Sequence, residues 1–527
     1  MKKIAEWMKK SIFGIGIVFY SWILVLNLFL ENITYFCKNK YVIANKLLMV
    51  FGIFLINIFI FLFKKYKRAI RKFLERGDEL VPIFSVLLFL VELIISYEIL
   101  FVSGWDAGEV SWQASLVAAG EKALDNSYFS HYPNNLLITF LYSLAYRLMG
   151  IVGLQMYGAV IIVIFQCFLS SLTGYLLYQI SKKMFHSNKI AFLVWIIYGL
   201  WIGLIPWYMV TYSDPVGIIF PVIILWLYQS MDNKKAIWEK SVGIGIVSFF
   251  GYQIKPTVLI MYIAILLIVI LRFIEKNECN IRIKQICGIV VAFFVVLNIY
   301  GHFDIAKCMG FQLDKEQKLT STHFVMMGLS QKTNGVFDKD EVDFSISFPN
   351  KEMRQKANIK VIKQRLHEYG FLGMTKHLSK KILTNYNDGT FSWGKEGEFF
   401  LEEIEKPELI FSKVLKSLYY NNGEYRSMFI NYMQFIWFMT LFGVFLNFIL
   451  TFHKKKIADL QLITMLALVG IFLFVTIFEA RARYLYIYVP LYILVGVQGY
   501  FQLFFSLRRK KKISILKIIV LGVRNTK

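Results

Sequence analysis

Five short stretches of this chain carry side chains able to do chemistry. Gly104-Trp105-Asp106-Ala107-Gly108-Glu109 follows directly on an apolar run, Val81 to Val102. The others are His131-Tyr132-Pro133-Asn134-Asn135, Thr211-Tyr212-Ser213-Asp214-Pro215, Tyr252-Gln253-Ile254-Lys255-Pro256 and Phe478-Glu479-Ala480-Arg481-Ala482-Arg483-Tyr484. Acidic side chains are costly in lipid and mark function where they line a pathway or cleft. A carboxylate such as Asp106, Glu109 or Asp214 can draw a proton from an attacking hydroxyl. Lys255, Arg481 and Arg483 can hold a phosphate whose charge grows as it leaves, the arginines bidentately.

Each feature also has a plain structural reading. Asp106 can cap a helix that begins near Glu109. Asp214-Pro215 is an ordinary helix start, with proline at the first helical position. Lys255 can snorkel from a tight turn, and the Arg481/Arg483 pair can anchor the chain at the interface. His131 can be a structural histidine. Glu92 and Glu98, six residues apart, fall on different faces of one helix and form no shared site, although Glu98 lies near the end that could join a cleft. The sequon Asn32-Ile33-Thr34 is too short a match to carry weight.

What must position these groups is a membrane bundle. Of 527 residues, 57% are hydrophobic, 17% aromatic and only 18% charged, with a mean hydropathy of +0.54. A soluble domain could not hide that much apolar surface. The formal charge of +24 does not point to nucleic acid. Basic residues cluster in short loops between apolar runs: Lys64 to Arg68, Lys182-Lys183, Lys234-Lys235, Lys454 to Lys456 and Arg508 to Lys512. That is the positive-inside pattern, which orients helices and meets anionic lipid. The five cysteines have no metal-like spacing; Cys167, inside an apolar run, packs as a small hydrophobe. The apolar run from Ser11 to Leu30 has no small-residue cleavage site and reads as an uncleaved first span.

A span needs about 20 apolar residues. Candidates are 11–31, 41–63, 81–103, 133–149, 153–180, 190–210, 215–231, 241–254, 256–273, 285–303, 427–450, 458–477 and 484–505. The fold class is an all-α polytopic membrane protein of about 12 to 14 spans with a small extracytoplasmic region. Residues 1–80 form N-terminal spans, and 81–303 a membrane module with a first outer loop at 104–132. Residues 304–426 form the outer region, and 427–527 the last spans with a basic cytoplasmic tail. Charge puts 104–132 outside and 181–189 inside, which needs an odd number of crossings where two candidates stand. Either 133–149 does not cross fully or 153–180 is broken.

The ordered set of features resembles the C-type glycosyltransferase superfamily. It comprises an acid in the first large outer loop, Pro133-Asn134-Asn135, an outer Asp214-Pro215, the Lys255-Pro256 hairpin and Glu479-x-Arg481-x-Arg483-Tyr484. Within that superfamily the chain is most similar to bacterial relatives of protein O-mannosyltransferases and lipid A aminoarabinose transferases. Thr322 to Gly328 and Asn387 to Trp393 look like phrases of membrane glycosyltransferases acting on cell-envelope polymers. The resemblance implies transfer of a sugar, with inversion, from a polyprenyl-phosphate carrier to a glycan, lipid or protein acceptor at the outer face of the cell membrane. It implies Asp106 as base, with Glu109 in place of the commoner adjacent acid, and Asp214 as the second carboxylate. It makes Lys255, Arg481 and Arg483 the phosphate contacts, with His131, Asn134 and Tyr484 lining the substrate. No cofactor or metal is expected. The competing readings are a polysaccharide polymerase or ligase, and a transporter or flippase, which would gather charge near the midplane on broken helices.

Overall fold

In the computed structural model, residues 2–30, 43–122, 124–231, 236–276, 279–454 and 456–509 are described. The sequon at Asn32, Cys37, Lys234-Lys235, Lys455 and the basic tail from Lys510 lie outside them. Among the described residues, eight helices are long and apolar enough to cross a membrane: Ala5–Phe29, Gly77–Glu98, Gln155–Phe185, Pro256–Ile274, Cys279–His302, Arg426–Phe452, Asp459–Ile477 and Ala482–Ser506. Shorter apolar helices, Asn45–Ile58, Asn188–Leu204 and Ser213–Gln229, run among them. The sequence pattern predicted 12 to 14 spans. The difference lies in these shortened helices, in Ile237–Ile254 with Glu239, Lys240 and small residues along it, and in 133–149.

The bundle has two distinct ends. At one, Lys182 binds Asp78 at 2.7 Å, Lys183 reaches the Gln229 carbonyl at 2.6 Å, and Lys9 pairs with Glu275. This is the basic end. At the other, Asn45 bonds the Asn27 carbonyl and the Asn387 side chain at 2.9 and 2.8 Å, and all five stretches singled out above gather there.

The crossing problem turns on the helix Leu136–Ile151. Its Tyr142 hydroxyl donates to Gln166 at 2.5 Å, and its Tyr146, one turn later, packs on Gly158. Moving along it, the contact on helix Gly158–Phe185 therefore slides away from Lys182, so the helix leads away from the basic end. At 16 residues it spans about 24 Å, short of a bilayer core. Helix Trp105–Ala119 lies beside it, tied by Ser111 to Tyr146 at 3.1 Å. The pair rests against the site end, and Gln155–Phe185 is the helix here long and apolar enough to cross.

Between Trp201 and Ser213 the chain breaks into 3-10 turns, Ile202–Leu204 and Pro206–Met209. Broken backbone inside a bundle must find partners. Gln166 supplies them, donating to the carbonyls of Tyr208 and Val210 at 2.7 and 3.0 Å, and Tyr142 donates to the Tyr212 carbonyl at 3.0 Å. Two buried polar side chains thus hold open the bend from which Tyr212 and Asp214 project.

Residues 304–425 form a helical cap at the site end. Helix Lys351–Tyr386 runs through the stretch Met353 to Tyr369, then turns sharply at Gly370 (φ 52°). Beyond that turn its last residues bury among the spans, with Asn385 on the Val475 carbonyl at 3.1 Å and Tyr386 stacked on Trp437. The N-terminal helix belongs to the same packing, Tyr20 meeting both Phe448 and Tyr492. Cys167 is buried as expected, its sulfur 3.7 Å from Ser96 Oγ.

Candidate active site

The segment carrying Asp106 is stitched to the cap. Phe101–Val102 pairs antiparallel with Glu402–Glu403, and the Gly104 amide donates to the Glu398 carbonyl at 2.8 Å. Trp105 then takes a positive φ of 46°, uncommon for a bulky residue and a form of strain that persists where the surroundings fix it. Here they do: Trp105 Nε1 donates to Ser103 Oγ at 2.7 Å and the ring packs edge-on against Tyr212. The turn is closed so tightly that a Cβ on Gly108 would stand 2.2 Å from the Ser103 carbonyl oxygen. Gly108→Ala is therefore expected to cost about 1–3 kcal/mol, the range for overpacking, read as a lower unfolding temperature in detergent.

Asp106 is not a helix cap. Gly104 occupies that position, with no side-chain bond. The Asp106 carboxylate instead accepts from Tyr128 at 3.0 Å and from Tyr212 at 3.3 Å, and Arg483 Nη2 stands 4.0 Å from Oδ2. Its side chain is 38% exposed. Both tyrosine rings are fixed from behind, Tyr128 by Asn135 Nδ2 at 2.7 Å. A carboxylate held by two neutral donors, with one side open, can still accept a proton.

From Arg483 an unbroken chain of charges runs through the site. Asp214, fully buried, meets Lys255 Nζ at 2.6 Å and Arg483 Nη1 at 3.3 Å. Glu396 bridges the arginines, 3.2 Å from Arg483 Nε and 2.8 Å from Arg481 Nη1. Arg481 also holds Glu479 at 2.8 Å, and Tyr484 donates to Glu479 at 3.0 Å. Arg483 lies over the faces of Trp105, Tyr212 and Tyr484, and Lys255 over the last two. Lys255 and Arg483 are buried and the Arg481 side chain is nearly so. Snorkelling and interfacial anchoring therefore do not describe them. Ser213 begins a short helix that carries Asp214 in its first turn, with Pro215 third and not first, and the ion pairs of Asp214 come on top of that position.

Not every expected residue joins. Glu109 is half-buried beside Gln113 and Asp125, and burial raises its carboxyl above the ordinary range. His131 turns toward Gln317 and Arg354, where burial and the guanidinium lower its pKa. Asn134 is exposed and bonds only its neighbour, Asn135 Oδ1, at 3.0 Å; Asn135 is the residue that reaches the site. Glu98 is buried away from it, against Ser412 and Lys406, and Glu92, also buried, accepts from Ser170 at 2.7 Å. Glu396, Tyr128 and Tyr212 went unassigned by sequence. Tyr212 stood inside a stretch already singled out, whereas Glu396 had no motif to reveal it.

A family described as a conserved hypothetical integral membrane protein matches residues 1–500. The chain belongs to that family. No curated protein matches the chain. For this integral membrane family member, what the site can do must therefore come from its own geometry.

Behind the charged chain, the cap of this family member is locked to the span that carries the arginines. Lys381 Nζ donates to the carbonyls of Gly328 at 2.8 Å and Phe478 at 2.6 Å, and the Ala480 amide donates to the Gly335 carbonyl at 2.7 Å. His377 Nε2 lies 2.9 Å from the same Gly328 oxygen. Asp388 closes the following turn, accepting from the amides of Thr390 and Ser392 and from Lys395. Those bonds hold its carboxyl down at about 2. Burial pulls the Lys381 amine down to about 7, and His323 and His377 to about 4. All three bind fewer protons folded than unfolded, so stability rises with pH from about 4 to 6.5 and again from about 7 to 10.5. Thermal unfolding followed across that range should show both rises, and Lys381→Met should flatten the upper one.

Proposed function

We propose that this protein is a membrane glycosyltransferase that moves a sugar from a polyprenyl-phosphate carrier to a cell-envelope acceptor. The observation that carries the reading is the meeting of Asp106, Asp214, Lys255, Arg481 and Arg483, from segments hundreds of residues apart, in one linked group of charges at one end of the bundle. By the charge pattern of the loops that end is extracytoplasmic.

The reaction is a direct displacement. An acceptor hydroxyl approaches the open side of Asp106 and attacks the anomeric carbon. Its oxygen forms the new glycosidic bond, its proton passes to the Asp106 carboxylate, and the bond from the anomeric carbon to the phosphate oxygen breaks. The departing phosphate takes the electron pair beside Arg481 and Arg483, which stabilise the growing charge. Attack from the face opposite the leaving group inverts the anomeric centre. Tyr128 and Tyr212 aim the carboxylate, and Asp214 fixes Arg483 against Lys255.

The test is transfer from a radiolabelled polyprenyl-phosphate sugar in proteoliposomes holding the purified protein and an envelope extract as acceptor. Label should move to the acceptor with wild-type protein and stay on the carrier when Arg483 is changed to Gln. Transfer unaffected by Arg483→Gln would remove the leaving-group assignment.

A further inference from the structure

The charge balance of the cluster sets a condition on any anionic substrate. Four carboxylates, Asp106, Asp214, Glu396 and Glu479, face three cations, Lys255, Arg481 and Arg483. These seven side chains carry a formal excess of one negative charge, with Lys381 alongside Glu479, and every cation of the seven already has a carboxylate against it. A phosphate brought into this arrangement meets like charge, not a vacant cation. For it to bind, one carboxylate must leave.

The four are not equally held. Asp214 is fully buried between Lys255 and Arg483. Glu479 sits on the same short strap as Arg481 and also accepts from Tyr484. Asp106 is fixed by two tyrosine hydroxyls and is the base of the proposed reaction. Glu396 alone comes from the cap, and like Glu479 it lies on neither a span nor a helix. Its Oε1 is close to Arg483 but forms no aligned hydrogen bond. The two residues after it are exposed, and Gly397 has open space around it. On its other side Gly394, at φ 75°, is wedged against Asn421 and Arg426, so the loop has a fixed root and a short exposed stretch before the Glu398 carbonyl is tied to the Gly104 amide and Phe399 is buried.

We infer that Glu396 is a resident anion, a carboxylate occupying the place between Arg481 and Arg483 that the phosphate of the donor takes over. This rests on the transferase reading, since it presumes a phosphate-bearing substrate. A planar carboxylate spanning two guanidinium groups has the charge and the reach of one edge of a phosphate. Displacing it couples donor binding to movement of residues 395–404, and through the pairing of Glu402–Glu403 with Phe101–Val102 to the segment that bears Asp106. The empty enzyme thus keeps its buried arginines neutralised, and the cap loop answers to the donor.

Farnesyl phosphate, a short soluble probe, titrated onto the full-length protein in nanodiscs tests this, with inorganic phosphate as a second arm to separate headgroup from lipid recognition. Glu396→Gln, which keeps the shape and removes the charge, should bind farnesyl phosphate about tenfold more tightly than wild type, while Glu396→Asp should not. Equal affinity in wild type and Glu396→Gln, with binding lost in Arg483→Gln, would overturn the resident-anion role and leave the transferase reading standing. No binding by any form would overturn both. Wild-type protein gives an independent check that needs no substitution. Amide hydrogen exchange across 395–404 should speed up when the probe is added, and unchanged or slower exchange would count against displacement.

Discussion

Asp106→Asn is expected to lower sugar transfer by about 10²- to 10⁴-fold, the range a positioned general base supplies, and to leave the protein folded in the membrane. Asparagine keeps the size of the side chain and one acceptor oxygen for Tyr128 or Tyr212, so little packing is lost. What disappears is the ability to take the proton. The partial exposure of Asp106 makes a large stability effect from this change unexpected, which separates catalysis from folding. Initial rates in proteoliposomes, set against the unfolding temperature of the same preparations, check both halves. A wild-type rate in Asp106→Asn would remove the base assignment. Glu109→Gln, by contrast, should stay within a few-fold of wild type, because Glu109 bonds Gln113 and meets the charged chain only as like charge beside Asp106.

Asp214→Ala is the change expected to harm the fold most. It removes the carboxylate from between Lys255 and Arg483, both buried, and leaves Lys255 with Ser213 Oγ at 3.5 Å and two ring faces for company. Stranding one half of a buried ion pair costs about 3–5 kcal/mol, whereas removing both halves costs far less. The double variant Asp214→Ala, Lys255→Met should therefore be clearly more stable than Asp214→Ala alone, although inactive. Unfolding temperatures of the two single variants and the double one measure the coupling. Additive losses would mean that the pair contributes no mutual stabilisation.

The membrane class and most helix positions were legible in the sequence because they rest on long apolar runs and loop charge. So was the gathering of Asp106, Asp214, Lys255 and the late arginines at one end, since all stand at helix mouths of matching side. Three things were not. Leu136–Ile151 is apolar enough to resemble a span, and only its packing against Gly158 and Ser111 reveals its direction. The turn between Trp201 and Ser213 depends on Gln166 and Tyr142, two buried side chains whose partners are backbone carbonyls more than 40 residues away, and no local pattern encodes such a contact. Glu396 was hidden for a related reason. A lone acid in a polar region carries no signal until the fold brings Arg481 and Arg483 to it. Conversely, His131 and Asn134 were singled out by type and proximity in sequence, yet a single step along the chain decides that Asn135 faces the site and Asn134 the solvent.

The central claim is that the linked charges around Asp106 transfer a sugar onto the cell envelope. Its most direct test is the glycan composition of envelopes from three strains, carrying the wild-type protein, none, or the Asp106→Asn variant at equal abundance. The account predicts one sugar substituent present in the first and missing from both others. Full decoration in the Asp106→Asn strain, alongside its loss from the strain without the protein, would contradict it.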